Sequence, residues 1–252
     1  MNNTHPFFAA LIILSLAAMA AAPGACAGDR PAVFDEATLT LLPETAPQPG
    51  ANSATERSAT PSQQGDFRIR HLNAGRYRFD LQLPSEVWYV QSISQLNAQT
   101  KRTVDLARSG LAVKSGEKIK DVTITIASGG AGLKGKAKAT EGRKLPANLR
   151  VHLIPAEKES ADDVLRYFEI KTSDDGAFAF KHVAPGKYLL MARASTDDSQ
   201  NDSKGAIPVA WDNAERLKLR RAAEALNVIV EFQPCQRIKD YELKYSGARY
   251  GQ

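Results

Sequence analysis

The stretch DDGAFAFKHVAPGKYLLMARA, residues 174–194, decides the fold. Asp175-Gly176 is a tight-turn signal, because glycine reaches positive φ without a Cβ clash. From Ala177 the residues alternate: Phe178, Phe180 and His182 fall on one face, Ala177, Ala179 and Lys181 on the other. That is the period of a half-buried strand. Pro185-Gly186 marks a second turn, and KYLLMARA resumes the alternation with Tyr188 and Leu190 on one side. Two such runs around so short a turn predict a hairpin.

A similar phrase stands earlier, QQGDFRIRHLNAGRYRFDLQL at residues 63–83. Gly65, Phe67, His71, Gly75 and Tyr77 match Gly176, Phe178, His182, Gly186 and Tyr188 at a constant offset of 111 residues. Upstream, TLTLLP (38–43) answers LRVHLIP (149–155); downstream, DVTITI (121–126) answers NVIVEF (227–232). Three blocks in one order indicate two copies of one domain. The glycines of ASGGAG, residues 127–132, read as a flexible joint between them. Short strands separated by Gly and Pro turns predict an all-β chain of two tandem antiparallel β-sandwiches of the prealbumin or Ig-like kind. In the second copy, strands are expected near residues 132–139, 149–155, 165–173, 177–182, 187–195, 206–210 and 227–233. DNAERLKLRRAAEAL (212–226) predicts a short helix before the last of them, with Asp212 as cap and Glu215 at the capping-box position. Its RLKLRR run reads as a solvated face.

GLKGKAKATEGRKLPANLRVHLIP followed by TSDDGAFAFKHVAPGKYLLMARA resembles the carboxypeptidase regulatory-like domain, a transthyretin-like seven-stranded sandwich. The likeness covers Leu133–Ala194; in the first copy Asn73-Ala74-Gly75 replaces the Pro-Gly turn. Its fixed residues are turns and core, so the resemblance implies an accessory, surface-associated domain of exported bacterial proteins with no activity of its own. It does not imply a peptidase: no histidine (His5, His71, His152, His182) has the Glu three residues on that a zinc carboxypeptidase needs.

The N-terminus is apolar from Pro6 and carries no Asp, Glu, Lys or Arg before Asp29. With a break at Pro23-Gly24 and small residues at Ala25 and Ala27, it reads as a secretory leader cut between Ala27 and Gly28. An uncleaved anchor and a lipoprotein acylated at Cys26 are the alternatives. Removal of residues 1–27 would leave Cys235 alone, either a small apolar residue or one paired to another molecule. The expected domains are then residues 1–27 (leader), 28–127 and 128–233 (sandwiches) and 234–252 (tail), with no membrane span once the leader is gone. The location is periplasmic, cell-surface or extracellular.

With 33 Lys and Arg against 28 Asp and Glu, the net charge is +5. The cations are spread rather than massed, which argues against nucleic acid as a partner. There is no G-x-S-x-G elbow, H-E-x-x-H helix, phosphate loop or cysteine cluster. No catalytic residue, metal ligand or cofactor site is therefore assigned, and no enzymatic activity is expected. The matched His71 and His182 read as a duplicated turn residue. Asp197, Asp198 and Asp202 lack the alternate spacing and closing Glu of a calcium loop. Lys136 and Asn227, on candidate first and last strands, lack the acid that an isopeptide cross-link requires.

Surface recognition remains. Trp88 and Tyr89 in EVWYVQ and Trp211 in PVAWDN are the candidate ligand or partner contacts, since an exposed indole offers a large flat apolar face. The expected function is a binding or assembly module at the cell envelope, with an envelope protein or polysaccharide as partner. The alternative is a carbohydrate-binding module. Only sixteen residues run from Gly28 to Pro43, against twenty-four from Gly132 to Pro155, so the first strand of the first copy is expected to be short or absent. Its polar, Pro-rich middle segment, residues 44–64, is expected to be mobile. The open sheet edge would accept a partner strand or the chain's own tail.

Overall fold

In a computed structural model of the protein, residues 10–18, 26, 34–44, 57–140, 144–195 and 211–247 are described. They divide into two units. The first holds the N-terminal strand and most of the chain to Ile126; the second holds Cys26, Glu86–Tyr89 and the chain from Ala127 onward.

The strands wholly or mostly in the first unit are β1 (Ala10–Ala18), β2 (Thr38–Pro43), β3 (Ser58–Ala59), β4 (Asp66–Leu72), β5 (Gly75–Gln82), β6 (Trp88–Leu96, whose first two residues belong to the second), β7 (Thr103–Asp105), β8 (Leu111–Val113) and β9 (Lys118–Ser128, whose last two belong to the second), with helix α1 (Leu106–Ser109). They form one sheet in the order β4-β1-β9-β6-β7 and another in the order β3-β2-β5-β8. The second unit contains β10 (Ala131–Ala139), β11 (Leu149–Pro155), β12 (Phe168–Lys171), β13 (Ala177–Val183), β14 (Gly186–Ala194), helix α2 (Asn213–Leu226), β15 (Ile229–Phe232) and β16 (Arg237–Tyr245). Its sheets run β13-β10-β16 and β12-β11-β14-β15. β1 with β9 and β10 with β16 pair parallel; β1 with β4, β10 with β13, β11 with β12 and β14, β14 with β15, β2 with β3 and β5, β5 with β8 and β6 with β7 pair antiparallel.

The chain is thus all-β, and each unit is a two-sheet sandwich. In the second, alternate residues of both sheets meet in one core that includes Leu133, Val151, Leu153, Phe180, Tyr188 and Phe232. The outer face of its four-stranded sheet is covered by α2, through Ile154, Leu189, Met191, Leu219 and Ala223. Asp212 caps that helix, accepting from the backbone N–H of Ala214 and Glu215. The RLKLRR run is not a uniformly solvated face: Arg216 and Arg220 are buried. Arg220 donates to the carbonyls of Pro155 and Ala156, and its aliphatic stem packs while the guanidinium ties the end of β11.

The opening phrase does not make a hairpin. β13 pairs with β10 and β14 with β11, so Pro185-Gly186 carries the chain from one sheet to the other. Alternation and turn residues read the same for a hairpin and for such an arch, and only the pairing distinguishes them. The turn before β13 also repeats. In Ser62–Gly65 and in Ser173–Gly176 the glycine N–H donates to the serine carbonyl at 2.8 Å, with the glycine at positive φ.

The pairing corrects the repeat alignment. DVTITI in β9 corresponds to DYELKY (240–245) in β16, and NVIVEF in β15 corresponds to β8. The residues expected as a separate tail supply the last strand of the second sandwich, which removes them as a filler for the first. The first strand of the first sandwich is present after all, supplied by Ala10–Ala18 from within the expected leader. The glycine joint is tied rather than free. Gly130 donates to the Val87 carbonyl at 2.7 Å, and a Cβ there would stand 2.8 Å from the Glu86 carbonyl oxygen. Close backbone approach, not flexibility, requires glycine at that position.

Candidate interaction surface

Of the aromatic residues singled out from the sequence, Trp88 is only 8% exposed. Its carbonyl oxygen lies 2.8 Å from Nδ1 of His182, within the second unit. Its ring is therefore part of the packing rather than a flat platform. Tyr89 and Trp211 are half-buried, Tyr89 in β6 and Trp211 immediately before the Asp212 cap. Ala27, Gly28, the strand expected at 206–210, and Asp197, Asp198 and Asp202 lie outside the described residues, as does most of the Pro-rich segment 44–64. Within that segment Ser58–Ala59 forms β3.

Cys26 and Cys235 form a disulfide. This corrects the expectation of a lone Cys235.

Buried polar groups serve structure. His152 in β11 is 1% exposed, and burial first, then the charges of Arg193 and Arg150, lowers its pKa to about 3. Glu169 lies 3.7 Å from Nδ1, but its carboxylate is engaged by Arg150 at 2.7 Å, so burial prevails and the imidazole is neutral. In the first unit Arg78 meets Glu44 at 2.5 Å and donates to the carbonyls of Ala107 and Arg108 at the end of α1. Lys136 of β10 is paired with Asp175 at 2.7 Å. Among the described residues no three His, Cys, Asp or Glu side chains gather as a metal site would require.

The place of the first strand is built alike in the two sandwiches. It lies between two neighbours that both carry a bulge. In the second unit, β10 has bulged neighbours at His182 (φ 56°) and Asp240 (φ 56°). In the first unit, β1 has bulged neighbours at His71 (φ 60°) and Asp121 (φ 59°). Left-handed backbone costs a non-glycine residue about 1 kcal/mol, so four such residues at matching positions define one geometry used twice. The registers coincide residue for residue: Leu133 pairs with Phe180 and Ile238, and Ile12 with Ile69 and Ile119. The inner rows of the flanking strands, Phe67 and Ile69 on β4 and Val122 and Ile124 on β9, are buried. Their outer rows present Asp66, Arg68 and Arg70 on β4 and Lys118 and Lys120 on β9, all exposed. Alternation identified β4 and β9 from sequence; the bulges carry no periodic signal beyond the matched His71 and His182.

A family model for the second β-sandwich domain of NOMO1-like subunits of the BOS complex matches residues 129–218. No curated protein matches the chain. Among solved structures, the Bacillus anthracis TIE protein is similar at 14% identity over 94% of this chain and 34% of its own, with a TM-score of 0.29. The shaft pilin SpaA from Lactobacillus rhamnosus GG is 12% identical over 96% of this chain and 99% of its own, TM-score 0.26. A DUF3823 family protein from Parabacteroides merdae is 12% identical over 73% and 91%, TM-score 0.26. This chain spans about a third of the first of these. Such scores carry no functional argument.

Proposed function

We propose that the chain is an exported, non-enzymatic protein whose two sandwiches bind or assemble with another component of the cell envelope. The observation that carries the reading is the Cys26–Cys235 disulfide: such bonds persist in oxidising compartments and are rare in reducing ones. The likeness of Leu133–Ala194 to carboxypeptidase regulatory-like domains supports it. A leader cut upstream of Cys26, after Ala20, where Ala18 and Ala20 give an A-x-A pattern, keeps the staple in the mature protein. A carbohydrate-binding role would have to rest on Trp211, since the ring of Trp88 is buried.

The test is to recover the protein from its own cells by fraction, read its N-terminus and disulfide state by mass spectrometry, and apply it to insoluble polysaccharides beside Trp211→Ala. Envelope or external recovery with residues 26 and 235 linked, and no retention on polysaccharide, is expected. Recovery from the cytosol with both thiols free would sink the reading. Retention lost in Trp211→Ala would replace it with a carbohydrate-binding module.

A further inference from the structure

The first sandwich is completed by a segment whose composition does not suit the position it fills. β10, the equivalent strand of the second unit, is two-sided. Leu133 and Ala137 are buried, while Lys134, Lys136 and Lys138 are exposed, and two of them meet acids, Lys136 with Asp175 and Lys138 with Glu242. The register positions of those three lysines in β1 are held by Ile13, Ser15 and Ala17. A strand with one solvent-facing row normally alternates apolar and polar; ALIILSLAA carries no charge in either row. In register, Ile13 is opposite Arg68, Leu11 is beside Lys118 and Ser15 is opposite Asp66, so the cations gather at the Leu11–Ile13 end, with Arg70 and Lys120 next along the two flanking strands.

We propose that the slot between β4 and β9 is an acceptor for an extended strand of a partner protein. That strand has apolar residues in its inner row and carboxylates at the register positions of Leu11 and Ile13. This rests on the exported reading, because leader removal is what empties the slot. The cradle itself lies wholly downstream of any leader: the bulges at His71 and Asp121, the buried rows of Phe67, Ile69, Val122 and Ile124, and the four cations. Without an occupant, β4 and β9 face each other across two strand spacings, about 10 Å. Each then presents a row of unpaired backbone N–H and C=O groups, a template that pairs with whatever strand reaches it. Main-chain hydrogen bonds supply affinity, the buried inner row supplies depth, and the Arg68–Lys118 end selects acidic over basic sequences and sets direction, antiparallel to β4 and parallel to β9.

The experiment uses the chain as exported, with its N-terminus read by mass spectrometry, and a synthetic peptide Ala-Glu-Ile-Glu-Leu-Ser-Leu-Thr-Ala. The control peptide has Lys for both Glu. Amide hydrogen exchange is followed on β4 and β9, with β13 and β16 of the second unit, which keep their own β10, as internal reference. Expected are weak protection of β4 and β9 in the free chain, protection on adding the acidic peptide, and an affinity about tenfold above that of the basic one at low salt. In Arg68→Glu, which leaves Lys118 beside the first Glu of the peptide, the preference should be largely lost. A mature chain that still carries residues 10–18 ends the leader-removal reading. A chain that lacks them, yet whose β4 and β9 gain no protection from the acidic peptide, ends the acceptor proposal alone. Equal affinity for both peptides overturns the assignment of an acidic partner.

Discussion

The hydroxyls of Tyr77 and Tyr188 make the same bond in the two sandwiches. Tyr77 donates to the carbonyl of Asn73 at 2.9 Å and Tyr188 to that of Ala184 at 2.8 Å, each four residues back across the arch that joins the two sheets. Both rings are buried, Tyr188 completely. Burial holds its phenol well above the ordinary tyrosine pKa, so it remains a donor throughout the accessible pH range. The bond closes the crossing that Pro185-Gly186 opens.

Removing one hydroxyl should leave a buried carbonyl without its donor. Tyr188→Phe is expected to cost about 1–2 kcal/mol, and Tyr77→Phe less, since its bond is only partly buried. Urea denaturation read at the two-unit level checks this. An unchanged midpoint and slope in Tyr188→Phe would show that the hydroxyl bond contributes nothing.

The buried His152 makes the second sandwich sensitive to acid. Folding lowers its pKa from 6.5 to about 3, so between those values the unfolded chain binds a proton that the folded one refuses. Stability is complete above pH 6.5 and falls as the pH drops toward 3, by on the order of 4 kcal/mol at the low end. His152→Leu, which also removes two buried nitrogens that have no hydrogen-bond partner among the described residues, should flatten that limb. Equal losses of stability between pH 7 and pH 5 in both proteins would locate the acid sensitivity elsewhere.

The disulfide spans 209 residues of sequence. A bond closing so long a loop restricts the unfolded chain strongly, and its loss costs roughly 2–5 kcal/mol. Reduction, or Cys26→Ser, should lower the melting temperature of the second unit. A melting curve indifferent to reductant would mean that the bond is not made in solution.

Asp240 stands at φ 56° in a bulge and is exposed. Asp240→Gly should stabilise by a few tenths to about 1 kcal/mol by relieving that conformation. A β-branched Asp240→Val should destabilise by more than about 1 kcal/mol. If both variants unfold at the same denaturant concentration, the bulge does not constrain the residue.

Local patterning determined much of this protein. Alternation around Phe178 and Phe180, the Gly65 and Gly176 turns, the Asp212 cap and the repeat itself are all written in neighbouring residues, because strand period, turn conformation and capping are short-range effects. The strands expected from them near 132–139, 149–155, 177–182, 187–195 and 227–233 are found at 131–139, 149–155, 177–183, 186–194 and 229–232. What tertiary structure decided was partnership. Whether Pro185-Gly186 closes a hairpin or an arch depends on which strand lies beside β13. The role of Arg237–Tyr245 as last strand rather than tail depends on β10. Cys26 meets Cys235 only because the fold brings together residues 209 positions apart. An apolar run such as Ala10–Ala18 satisfies a leader and a strand equally well, since both require only hydrophobicity and length. It is the bulged cradle of β4 and β9, assembled from residues more than fifty positions away, that gives it a place in a sheet.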